Sequence, residues 1–289
     1  MQNCADSLNL TNNTFQYKQD TATEMDCQRF ETLLVRLEND HVMVITLNRP
    51  GSLNAFNSRM SRELYELFEE IAMDSGTLRC IVLTGSGDRA FCAGADLKER
   101  KNMSDERWVL QHRIFERMVR AIRDCPVPII GAINGLAYGG GCEIAGLLDF
   151  LYASETARFA LPESTLGIIP GAGGTQTLSR AVGERRTKEL IFSGQPFTAH
   201  DACQWGLVNR VLPSPELLPA ALETASRIAS NAPLAVQQAK QSIHRGLQMS
   251  LSDALMHEIE CYYRTVPTRD RKEGVLAFNE KRKPTFEGR

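Results

Sequence analysis

The sequence predicts an α/β fold on three observations: short apolar runs that stop at Asn, Gly or Pro, amphipathic segments at helical spacing between them, and repetition of that alternation. Val42 to Leu47 ends at Asn48-Arg49-Pro50 and Cys80 to Thr84 ends at Gly85, so both read as buried strands. Between them Leu64, Leu67, Phe68 and Ile71 share one helical face, with Arg62, Glu63, Glu66, Glu69 and Glu70 interleaved, after an Asn57-Ser58 cap signal. A second helix carries Ile114, Phe115, Met118, Val119 and Ile122, stops at Pro126 and Pro128, and hands over to a strand from Ile129 to Ile133. After Gly139-Gly140-Gly141 a short apolar helix precedes a strand at Phe150-Leu151-Tyr152-Ala153. Arg158 to Leu161 runs into Pro162-Glu163, and Gly171-Ala172-Gly173-Gly174 opens another helix. Trp205-Gly206-Leu207-Val208 is expected to give a last strand. From Pro215 the pattern turns helical: one helix to about Ser230, one from Pro233 to Gly246, and two more ending near Phe278. The expected organisation is a disordered or mis-started segment 1–28, with Met25 as the alternative start, a sheet-bearing core 29–214 and a helical region 215–289.

Composition excludes several function classes. The 289 residues are 43% hydrophobic and 24% charged, with 33 Lys+Arg against 35 Asp+Glu, so no basic excess supports binding to a phosphate backbone. No run of 18 apolar residues exists, so no membrane span is expected. The eight cysteines form no C-x-x-C pair and several sit in apolar runs, while residues 1–28 lack an apolar stretch and any Arg. Reduced thiols in the cytoplasm are expected.

Glu143 is the most informative residue, because its neighbours Cys142, Ile144, Ala145, Gly146, Leu147 and Leu148 are all apolar or small. A helix apolar on every side is buried, and burial raises a carboxyl pKa toward the range useful for proton exchange near neutrality. The competing reading is a charge that complements the helix dipole. The three preceding glycines allow backbone N–H groups to approach developing negative charge, or simply make a tight strand-to-helix turn. Glu163 is either a cap or a second carboxyl arriving at the same pocket; two such groups divide acid and base roles. In Cys92-Ala93-Gly94-Ala95-Asp96-Leu97-Lys98, small residues permit close backbone approach and Asp96 is a candidate cap. Cys92 and Cys142 have no local His partner and there is no G-x-S-x-G elbow, which disfavours acyl-enzyme chemistry; His257-Glu258 lacks the second His of a zinc helix, so no metal is expected.

Arg49-Pro50 through Leu53-Asn54-Ala55, Phe91 through Lys98, Asn134-Gly135 through Glu143, and Pro162-Glu163 through Gln176 together resemble the crotonase (enoyl-CoA hydratase/isomerase) family, over about residues 30–289. The stretch Ala90 to Arg100 and the ending Pro267 to Arg282 are similar to methylglutaconyl-CoA hydratase-like members. The resemblance implies a spiral of strand-strand-helix units with helical C-terminal trimerisation, as a homotrimer or hexamer. It also implies hydration of a short or branched 2-enoyl-CoA, with a double-bond isomerase as the alternative within the family and an RNA-binding relative outside catalysis. By position, Glu143 and Glu163 are the catalytic pair, Ala95 and Gly140 supply the oxyanion hole, and Leu53, Ala55, Ala93, Asp96, Leu97 and Lys98 contact the acyl-CoA. The family uses no cofactor beyond the CoA of its substrate. An acidic balance on the helix of Glu63, Glu66, Glu69, Glu70 and Asp74 against Arg59 and Arg62 argues against RNA.

Overall fold

The computed structural model describes residues 29–289, and the expectation for residues 1–28 lies outside them. The chain enters with an antiparallel pair, β1 (Leu33–Asn39) and β2 (Val42–Leu47), followed by α1 (Ser58–Met73). Asn57 caps α1 by accepting from the Met60 amide, as its position before the apolar stripe predicts. Three turns then repeat one plan. The first is β3 (Cys80–Gly85), β4 (Ala90–Cys92), α2 (Leu97–Arg100) and α3 (Asp105–Asp124); the second is β5 (Ile129–Ile133), β6 (Leu136–Tyr138) and α4 (Gly140–Leu147). The third is β7 (Phe150–Ser154), β8 (Arg158–Ala160), α5 (Gly174–Val182) and α6 (Glu184–Ser193).

The first strand of each turn joins one sheet and the second joins another. Completed by β9 (Phe197–Thr198), α7 (Ala199–Gln204) and β10 (Arg210–Leu212), the sheets order as β1-β2-β3-β5-β7-β10 and β4-β6-β8-β9. Among the described residues only the β1–β2 and β8–β9 pairs are antiparallel. Stacking successive turns in parallel register, Ile81 on Ile129 and Ile130 on Phe150, produces the spiral.

Every residue of β3 and β5 is buried, as strands covered on both faces must be. Alternation divides them: Met43, Ile45, Ile81, Leu83, Ile129 and Ile133 join the large inner core. On the other face, Val42, Val44, Val82, Ile130 and Ala132 pack under α8 (Ser214–Ala229), through Leu217, Ala221, Ala225 and Ala229. Past α8, the helices α9 (Pro233–Gly246), α10 (Leu251–Thr265) and α11 (Arg269–Asn279) bury little within the protomer: none of α9 and only Cys261 of α10. Lys240 of α9 is tied to the core, reaching Asp149 Oδ2 and the Val127 carbonyl at 2.8 and 2.9 Å.

One expectation changes. The last strand is Arg210–Leu212 rather than Trp205 to Val208, because Trp205 closes α7 and Gly206 turns the chain at φ 91°. Glu63, interleaved with the apolar stripe of α1, is buried, accepting from the Glu31 and Thr32 amides at 2.9 Å each. Among the described residues no helix is long and apolar enough to cross a membrane.

Candidate active site

Four segments converge at the N-terminal end of α4. The start of α4 is pressed against β4: a Cβ on Gly141 would lie 2.0 Å from the Cys92 carbonyl oxygen, so only glycine fits. That approach turns the first turn of α4, with its unbonded N–H groups, toward the loop after β4. The loop is held by a single parallel bridge, in which Phe56 N donates to Gly94 O and Asp96 N donates to Phe56 O, each at 2.9 Å. Phe56 thereby uses its neighbours' groups and leaves the Ala95 N–H pointing the other way. Among the described residues neither the Ala95 nor the Gly140 amide finds an acceptor. A Cβ on Gly140 would lie 3.8 Å from Ala95 N, so the two donors border one small space. Two preorganised N–H groups of this kind stabilise an oxygen that gains negative charge.

Glu143 lies in the first turn of α4 at 3% exposure. Its carboxylate reaches away from its own helix: Oε1 accepts from the Ala172 and Gly174 amides at 2.7 and 2.8 Å. The Gly171–Gly174 loop is therefore a cradle for this carboxylate. Gly174 has to be small, since a Cβ there would come 2.9 Å from Glu143 Cγ. Burial raises the Glu143 pKa, and the loop amides pull it partly back.

Glu163 opens a short 3-10 turn, Glu163–Leu166, that closes at Gly167 with φ 73° and is pinned to α6 by Ser164 Oγ donating to Ile191 O at 2.6 Å. Burial, and secondarily the charge of Glu143, push its pKa up to about 7. Its Oε2 is the single buried side-chain polar atom without a hydrogen-bond partner among the described residues. A Cβ on Gly139 would lie 3.0 Å from its Oε1, which sets this carboxyl beside the turn that starts α4. Buried polar atoms are rarely left unpaired, and such an atom in a native site commonly serves a reactant. The pair can take up and deliver a proton near neutral pH, next to two amides able to hold an oxyanion.

The remaining expected residues are distributed around this centre. Leu53 O accepts from Ala93 N at 3.0 Å, so those two segments meet. Leu53 and Asn54 both adopt left-handed backbone, at φ 51° and 54°. Asn54, almost wholly buried, clasps the segment: its amide donates to Ser86 O and Ala90 O at 2.9 and 2.8 Å, and its oxygen accepts from Arg49 N and Ser86 Oγ at 3.0 Å each. Ala55 O accepts from Arg49 Nη1 at 2.5 Å. Asp96 commits both oxygens to structure, one to the Lys98 amide as the cap of α2 and one to Arg49 Nη2 at 2.9 Å. Leu97 and Lys98 are exposed, and the Lys98 ammonium makes no ion pair among the described residues. Burial pushes the Cys92 thiol up to about 12 and Cys142 higher, which removes both as nucleophiles.

Sequence reasoning missed the Asn54 clasp, the Arg49–Asp96 pair and Phe56, whose ring lies 2.5 Å from where a Gly140 Cβ would stand. The one available signal was an Asn beside a Pro-Gly turn, common in any loop. Among the described residues no three His, Cys, Asp or Glu side chains gather as a metal site would require.

The enoyl-CoA hydratase/isomerase family model matches residues 38–289. A short-chain-enoyl-CoA hydratase of Clostridium acetobutylicum is 45% identical over 246 residues, covering 84% of this chain and 92% of that protein. The 2,3-dehydroadipyl-CoA hydratase of Escherichia coli is 40% identical over 258 residues, covering 89% and 99%. The crystal structure of enoyl-CoA hydratase from Bacillus anthracis superposes with a TM-score of 0.87 at 41% identity, covering 90% of this chain and all of that one.

Proposed function

The chain belongs to the enoyl-CoA hydratase/isomerase family, and from that premise we propose that it adds water reversibly across the 2,3 double bond of a short or branched 2-enoyl-CoA, 3-methylglutaconyl-CoA included. The thioester carbonyl would accept from the Ala95 and Gly140 amides, and addition of water at C3 would build enolate charge on that oxygen. In comparable sites one such donor contributes about 3–4 kcal/mol to the transition state. Glu143, its anion favoured by the loop amides, would take a proton from the attacking water; Glu163, which keeps its proton to about pH 7, would deliver one to C2. The thioester stays intact, and no cofactor enters beyond the CoA that the substrate carries. CoA binding along Leu53, Ala55, Ala93, Leu97 and Lys98 would orient the double bond far from the contacts that hold it. We further propose a cytoplasmic trimer or hexamer assembled through the C-terminal helices.

What carries this reading is two buried carboxyls with raised pKa beside two unpaired amides. An isomerase needs only one base, so the pair favours hydration. The test is incubation with crotonyl-CoA in ¹⁸O-water: formation of 3-hydroxybutyryl-CoA carrying the label at C3 is expected. Shuttling of a 3-enoyl-CoA to the 2-enoyl isomer, without hydration of crotonyl-CoA, would contradict it.

A further inference from the structure

His112 is a side chain that the hydration chemistry leaves unused, yet it bears on the loop that cradles Glu143. It lies half-buried on α3. Its Cε1, Nε2 and Nδ1 are the three atoms nearest to where a Gly171 Cβ would stand, at 2.7, 3.1 and 3.8 Å. Neither ring nitrogen has a hydrogen-bond partner among the described residues, so the contact with Gly171 is one of packing. The loop has little else to hold it. Residues 164–169, which lead into it, are exposed, and no backbone–backbone hydrogen bond involves residues 169–172 among the described residues. Glycines at 171, 173 and 174 add no stiffness of their own, and Gly173 sits at φ 109°. The Ala172 amide on Glu143 Oε1 ties this stretch inward, and the His112 ring meets it from α3.

On either side of His112, α3 is itself fixed. Gln111, at 5% exposure, donates through Nε2 to Ser58 Oγ and Glu99 Oε2 at 2.9 and 2.8 Å, and accepts from Arg100 Nε at 2.8 Å. Phe115, one turn on, has its ring centroid 6.3 Å from that of His112 and meets Phe56 edge to face at 4.9 Å. The Phe56 ring in turn lies against Gly140. Close-packed side chains of this kind transmit position, so the imidazole stands on a seat set by the oxyanion side of the site.

Resting on the hydratase reading, we propose that His112 is a positioning residue for Glu143: its ring backs Gly171 and thereby keeps the loop amides on the carboxylate. Amide donors favour the carboxylate over the acid. Burial raises the Glu143 pKa, and the Gly174, Ala172 and Gly171 amides oppose it, so a loop that relaxes away leaves the acid form favoured. The group that takes the proton from water is then charged over a narrower range of pH. The titratable groups facing Glu143 are Glu163, from the 3-10 turn, and the Cys142 thiol, from its own helix, and neither is altered by a change at position 112.

The experiment measures kcat and KM for crotonyl-CoA from about pH 5 to about pH 9 in the wild type, His112→Ala, His112→Phe, Gly171→Ala and the double variant His112→Ala/Gly171→Ala. His112→Ala is expected to lower kcat roughly 10-fold with KM little changed, and to move the acid limb of kcat/KM up by about one pH unit. His112→Phe keeps a flat ring at Gly171 and should restore both rate and limb. Gly171→Ala drives a methyl into the His112 ring and should shift the same limb in the same direction. Removing the ring relieves that collision, so the double variant should be less impaired than the product of the two single effects. A merely structural His112 lowers the melting temperature and leaves the limb in place. An unmoved limb in folded His112→Ala, a His112→Phe variant as impaired as His112→Ala, or strict additivity in the double variant overturns the inference. Absence of crotonyl-CoA hydration by the wild type would instead sink the hydratase reading itself.

Discussion

Glu143 and Glu163 are both raised by burial, yet the structure treats them differently: one carboxylate rests on two loop amides and the other has an oxygen with no partner. That difference has a consequence for stability. A carboxyl whose pKa is higher folded than unfolded binds its proton more tightly in the native state, so the stability it lends is complete below its ordinary value near 4.5 and is lost as pH rises through about 7. Glu163→Gln removes this loss. Its melting temperature is expected to gain on the wild type from about pH 5 to about pH 8; a constant difference across that range contradicts the assignment. Asn54→Ala, which strips four hydrogen bonds from a buried position, should cost about 2–3 kcal/mol in urea unfolding. The sequence made the burial of Glu143 legible because it is a lone charge in a helix apolar on every side, while its role, proton exchange or a complement to the helix dipole, stayed open until the family resemblance. Nothing in the sequence separated Glu63 from the other glutamates of α1, and only the arrival of the Glu31–Thr32 backbone from a distant segment reveals its role.

At the scale of elements, the site depends on how closely α4 approaches β4. Gly141→Ala would place a methyl 2.0 Å from the Cys92 carbonyl, a backbone collision that neither element can relieve by a rotamer change. A loss of about 3 kcal/mol and of hydration activity is expected. Gly51→Ala, with nothing within 4 Å of its Cβ, serves as the control and should stay within about 0.5 kcal/mol of wild type in the same thermal melts. Long elements with a strong period were readable: α1, α3, α8 and α9, and strands β2, β3 and β5. Others were not. β1 interleaves Arg36 and Glu38 with its apolar residues as an edge strand does, while β4, β6, β8 and β9 are two or three residues long, too short for alternation to register. The second sheet, made wholly of these, exists only because the spiral brings them side by side.

For the whole molecule, the unanswered surface is at the C-terminal end. Leu251, Leu255, Met256, Ile259, Tyr262 and Tyr263 are all exposed on α10, with Ile243 on the adjoining α9 and Leu247 just past its end. An apolar face of this extent favours association over solvation. Light scattering at micromolar concentration is expected to give three or six times the protomer mass, and Leu255→Glu with Ile259→Glu should shift the population toward monomer; a wild-type monomer would contradict the proposed assembly. The central claim remains that two carboxyls share one proton-transfer task, and hydration of crotonyl-CoA by Glu143→Gln, Glu163→Gln and the double variant tests it most directly. Each single replacement keeps shape and removes proton transfer, so turnover should fall roughly 10²–10⁴-fold with CoA-ester affinity little changed, and the double should cost far less than the product of the two. Near-wild-type turnover by either folded single variant would contradict the account.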